Sequence, residues 1–170
     1  MNRDERERLF LDLLHHNKSR IQRLCSAYLN SPSDIDDLFQ EIMTNLWNAL
    51  PGFRGDSHPN TWLYRIAVNT ALLYRRKQRP SSPLPEIELR DESPSTHQNL
   101  EDAERLAALR QAIAALPDQD RLIITLLLES LSYREIAEIT GLTVNHVGVK
   151  ISRIKHAIEQ RMTEVHHGAH

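Results

Sequence analysis

No residue between Ser57 and Pro85 carries a negative charge, although Arg65, Arg75, Arg76, Lys77 and Arg79 all fall in that span. In a chain of formal net charge -2, a solvated helix ordinarily mixes both signs, so something acidic is expected to lie against this segment. Other scarcities exclude whole classes. Five glycines and few β-branched runs favour helix over sheet. A single cysteine, Cys25, rules out an internal disulfide and fits a reducing compartment; it falls on the apolar stripe of a helix and reads as a core thiol. The longest apolar run, Leu122 to Leu128, contains Thr125 and is far too short to span a bilayer. The N-terminal MNRDERERLF lacks the apolar core of a signal peptide. A soluble, cytoplasmic protein without membrane insertion is expected.

What is present is helical spacing, and 170 residues suit one ordinary domain or two small ones. Leu9, Phe10, Leu13, Leu14, Ile21, Leu24, Cys25, Tyr28 and Leu29 recur at three- and four-residue intervals, predicting an amphipathic helix over 4–29 with a break near Asn17. A second helix is expected from Ser33 or Asp34 to Leu50, closed by Pro51-Gly52, and a third from a cap at Asn60 or Thr61 to about Gln78. Pro80-Ser-Ser-Pro-Leu-Pro85 and the aperiodic polar stretch after it read as a flexible linker over 80–99. Periodicity returns near Leu100 with Leu106, Leu109, Ile113 and Leu116, is interrupted at Pro117-Asp118, and resumes through Leu122, Ile124, Leu127 and Leu128. The expectation is an all-α chain: a domain over 1–79, the linker, and a helix-turn-helix domain over 100–170.

The helix-turn-helix rests on spacing. Ala137, Gly141 and Val147 supply a small residue where two helices cross, a glycine for the turn and an aliphatic residue that pins the second helix. Val147, Ile151, Ile154 and Ile158 then form one inward stripe on a helix from Val144 to about Gln160. The opposite face holds Asn145, His146, Val149, Ser152, Arg153 and His156, flanked by Lys150 and Lys155. Such a face suits a DNA groove, with an arginine for guanine and lysines for phosphates; a solvated helical hairpin has the same pattern.

In the first domain, Asp34-Ile-Asp-Asp-Leu-Phe-Gln-Glu places Asp36, Asp37, Gln40 and Glu41 outward. Acids in a first turn stabilise the helix N-terminus, and four together also suit a basic protein partner; composition does not separate the two. The acid-free segment combines aromatics with arginines, as single-stranded nucleic acid requires, yet Trp62, Leu63, Ile66, Ala67 and Leu73 also make a core face. Arg65 and Asn69 share one side of that helix and are expected to look outward, with Leu63, Ile66 and Ala67 inside.

In this order, the D-x-D-D-L-F-Q-E helix, the run F-R-G-D-S-x-x-x-T-W-L-Y-R-I-A-x-N, a linker, L-P-x-x-x-R and the helix-turn-helix resemble an extracytoplasmic-function sigma factor of bacterial RNA polymerase, over about 5–79 and 100–162. The resemblance implies that Asp36, Asp37, Leu38, Gln40 and Glu41 dock on the clamp helices of core polymerase. It implies that the Phe53 to Asn60 loop captures a base flipped from the melted minus-10 strand. The minus-10 set is Phe53, Arg54, Asp56, Ser57, Trp62, Arg65, Asn69, Arg75, Arg76 and Lys77, and the outward face from Asn145 to His156 would read the minus-35 duplex. The implied partners are core polymerase, at its clamp helices and flap, promoter DNA and an anti-sigma factor, the free chain being a monomer. Two places depart from the family pattern. Gly148 stands where many members carry Lys or Arg, and His58-Pro59 where many carry small or aromatic residues.

A stand-alone regulator of duplex DNA is the competing reading, though it needs neither the acidic helix nor the Trp62 segment. A metal-dependent hydrolase is the third. His15-His16 point to different faces, His58 and His97 sit in loops, and the C-terminal His166, His167 and His170 suit only adventitious zinc or nickel. With no phosphate-binding loop or nucleophile motif, no catalytic residue, metal or cofactor is expected.

Overall fold

The computed structural model describes residues 2–78 and 97–167, which form seven α-helices and one 3-10 turn. The first module holds α1 (Arg3–Ser26), α2 (Pro32–Ala49) and α3 (Pro59–Gln78). Asn2 opens α1 with a reciprocal cap: its side-chain oxygen accepts from the Glu5 N–H and the Glu5 carboxylate accepts from the Asn2 N–H, each at 2.8 Å. The expected break at Asn17 does not occur. Asn17 is buried, and its amide donates to the Leu13 carbonyl one turn back (2.9 Å) and to the Asn60 side chain (3.0 Å), so a helix-disfavouring residue becomes a tie to the start of α3.

Both α2 and α3 begin on prolines, earlier than expected, because a proline at a first helical position forfeits an N–H that would have no partner there. His58 Nδ1 accepts from the Asn60 N–H at 3.3 Å, and Thr61, expected as a cap, is buried instead. Ile21, Leu24, Leu38, Ile42, Leu46, Leu63 and Ala67 close the core of this module. Fully burying each of the larger ones contributes about 1.5–3 kcal/mol.

The second module holds α4 (His97–Ala114), α5 (Asp118–Leu128), α6 (Tyr133–Thr140) and α7 (Val144–His167). The linker range and the end of the C-terminal tail lie outside the described residues, except that α4 already includes His97 to Asn99. Leu116 is buried as the spacing required, whereas Leu106 and Leu73 are about half exposed and belong to no core face. Arg121, the arginine of L-P-x-x-x-R, is buried and donates to the carbonyls of Ala114 and, at 3.0 Å, Leu116, closing the end of α4.

Ser132 caps α6 with its own reciprocal box: the Glu135 carboxylate accepts from the Ser132 N–H (2.8 Å) and hydroxyl (2.7 Å). Those bonds to Ser132 hold the Glu135 carboxyl below the usual carboxylate range. Gly141 takes φ +76° and donates its N–H to Ala137, ending α6 in the left-handed turn that the spacing called for. Val147, Ile151, Ile154 and Ile158 are all buried. α7 runs to His167, longer than expected.

Candidate nucleic-acid interface

The expected reading face of α7 is clear of the rest of the chain. Asn145, His146, Val149, Ser152, Arg153, Lys155 and His156 are exposed. Lys150 is the exception: its Nζ is 2.7 Å from Asp120 on α5, in a half-buried pair. Gly148, half-buried on the same face, lies under the ring of Tyr133; a Cβ built there would sit 3.6 Å from Tyr133 Cε2 and 3.7 Å from Cδ2.

On α2, Asp36, Asp37 and Gln40 are exposed and Glu41 is half-buried, an acidic row as expected. Leu38, grouped with them on sequence grounds, is fully buried and holds α2 against its neighbours instead of facing a partner. The acidic row approaches the basic end of α3, where Lys77 Nζ is 3.9 Å from Glu41.

The loop before α3 exposes Arg54 and Asp56, with Ser57 half-buried, and Gly55 turns it at φ +77°. Phe53 and Trp62 are half-buried and stack against each other, ring centroids 4.8 Å apart and tilted by 46°. Along α3, Asn69, Arg76 and Lys77 are exposed, and Leu63 and Ala67 are buried. Tyr64 is buried as well, which pushes its phenol up to about 12.

The acids expected against this segment are the chain's own. Arg65 Nη2 donates to the Glu138 carbonyl at 3.2 Å and lies 3.4 Å from the Glu138 carboxylate on α6. Arg75 donates to the Tyr28 carbonyl (2.8 Å) and lies 3.2 Å from the Asp118 carboxylate at the start of α5. Around these, Arg23 on α1 makes a two-pronged bond to the buried Glu129, at 2.6 and 2.7 Å, with Arg20 at 3.9 Å. The Tyr28 hydroxyl donates to the Asp118 carbonyl at 3.2 Å. Hydrogen bonding to Glu129 raises the already high Arg23 pKa further. Sequence reasoning gave none of Arg23, Glu129, Asp118 or Glu138 a place in the site, Asp118 entering only as part of a helix interruption. Pairs so far apart along the chain leave no local signal, apart from the missing acids themselves.

His15 and His16 stack edge to face with centroids 5.2 Å apart, and His16 pairs with Asp12; among the described residues no three side chains gather as a metal site. Nor is any described helix long and apolar enough to cross a membrane.

A family model described as Sigma-70 region 2 matches residues 13–81, and one described as Sigma-70, region 4 matches 106–158. The chain is 39% identical over 155 residues to the ECF RNA polymerase sigma-E factor of Escherichia coli (strain K12), covering 84% of this chain and 81% of that protein. It is 34% identical to the protein of that name from Haemophilus influenzae, covering 88% and 85%. Among solved structures, CnrH in complex with the cytosolic domain of CnrY matches with a TM-score of 0.69 at 22% identity, over 93% of this chain and 90% of that one. The sigma factor RpoE in complex with the anti-sigma factor NepR from Bartonella quintana matches with 0.67 at 18%, over 95% and 98%. With both sigma regions present in order and relatives aligned along most of its length, this chain belongs to the ECF sigma factors of RNA polymerase.

Proposed function

We propose that the chain directs core RNA polymerase to promoters carrying two elements, read by different modules. The row Asp36, Asp37, Gln40 and half-buried Glu41 docks on core polymerase, and the Phe53 to Asn60 loop with Trp62, Arg65, Asn69, Arg75, Arg76 and Lys77 engages the melted minus-10 strand. The outward face of α7 reads the minus-35 duplex. The observation that carries this reading is the pairing of α2 and α3: an exposed acidic row beside a helix that has no acid of its own. A regulator acting on duplex DNA alone has no use for either. An anti-sigma factor is proposed as a further partner, since two solved relatives of the same fold include one described as bound to such a protein.

The test is run-off transcription with purified chain and sigma-free core polymerase on a promoter library. Specific transcripts sharing two spaced elements are the expected result. Tight duplex binding by the chain alone, with no transcript and no association with core, would replace this reading with that of a stand-alone regulator. Within it, Asn69→Ala should slow open-complex formation; a wild-type rate removes Asn69 from the melting surface.

A further inference from the structure

Gly148 lies at the edge of the reading face, three residues after Asn145 and four before Ser152, where a helix nearly repeats its orientation. A glycine inside a helix costs about 1 kcal/mol relative to alanine, so its presence needs a physical reason. The space beside it is filled from another element. Tyr133, the first residue of α6 and next to the Ser132–Glu135 cap, brings one edge of its ring to ordinary contact distance of where a Cβ at 148 would stand, while staying 40% exposed. A methyl at 148 would just touch that ring, so a longer side chain there would have to share its space.

We propose that Tyr133 takes the place of an α7 side chain at position 148, donating its hydroxyl to a backbone phosphate, so that the base pair facing Gly148 is left unread. The first helix of a helix-turn-helix crosses the DNA backbone, which makes a phosphate the partner within reach of Tyr133. The proposal rests on duplex readout by α7. The experiment uses full-length chain with core polymerase on promoters randomised in the upstream element, comparing wild type, Tyr133→Phe and Gly148→Arg. Wild type should show base preference on either side of an indifferent position. Tyr133→Phe, which preserves the packing, should weaken binding to every upstream sequence by about tenfold with the preferences intact. Gly148→Arg should create a guanine preference at the formerly indifferent position. Wild-type affinity in Tyr133→Phe, or an altered base preference, overturns the proposal. Failure of wild type to select any upstream sequence instead overturns duplex readout itself.

Discussion

On α7 the residues assigned to DNA, Lys150 apart, stand clear of the rest of the chain, whereas on α3 the two arginines nearest the other module are held by its acids. The chemistry is alike in both places: cations and polar groups on one helical face. What differs is what lies opposite. α7 turns its aliphatic stripe to α5 and α6 and its polar face to water, while α3 packs against α6 on the side that carries Arg65. A helix is therefore not a DNA surface by composition alone; it becomes available only where no carboxylate has reached it first. Exposed pairs such as Arg65 with Glu138 are individually weak, about 0–1 kcal/mol, and phosphates can compete for them. The Arg23–Glu129 pair is different, because Glu129 is buried and, among the described residues, loses its only close-bonded side-chain partner if Arg23 is removed.

The comparison can be broken most severely from within the core. Ile151→Ala should destabilise the second module by about 2–5 kcal/mol, seen in urea unfolding, and remove duplex binding while leaving the minus-10 loop intact. Arg153→Ala acts only at the open face and should weaken minus-35 duplex binding by about 1–3 kcal/mol if it pairs with a guanine; an unchanged affinity excludes it from the site. Ser132→Ala removes the α6 cap and should cost about 1 kcal/mol in thermal unfolding, lowering duplex affinity only through Tyr133 and the turn. The accompanying Glu135 carboxyl is depressed in the folded chain, so its contribution is full above its unfolded pKa and is lost as pH falls through the folded one. Stability of Glu135→Gln should accordingly converge with wild type under acid conditions. The smallest effect is at Cys25, whose thiol burial pushes up to about 12; thiol reagents at neutral pH should leave the native chain unmodified.

Much of this was legible in the sequence because periodicity reports directly on burial. The stripe Val147, Ile151, Ile154, Ile158 and the left-handed Gly141 followed from spacing and from the need for positive φ. Helix starts were less legible: Ser33, Asn60 and Thr61 looked like caps, but prolines one or two positions earlier already suit a first turn. Asn17 looked like a breaker because its partner, Asn60, lies in another helix. Leu38 shows the limit of motif transfer, since a motif groups residues by sequence while burial sorts them by helix face. The inter-module pairs were invisible except as an absence. A segment lacking acids announces that acids will come from elsewhere, without saying from which molecule.

The one-way sense of those pairs has a consequence for inheritance. Because bases lie on one module and acids on the other, neither half is a self-sufficient unit that can be exchanged freely. A chimera joining residues 2–78 to a relative's second half would keep Arg23, Arg65 and Arg75 but acquire acids placed for a different surface. Substitutions at Arg23 and Glu129 should thus be tolerated mainly as matched exchanges, and the two modules should change together over time.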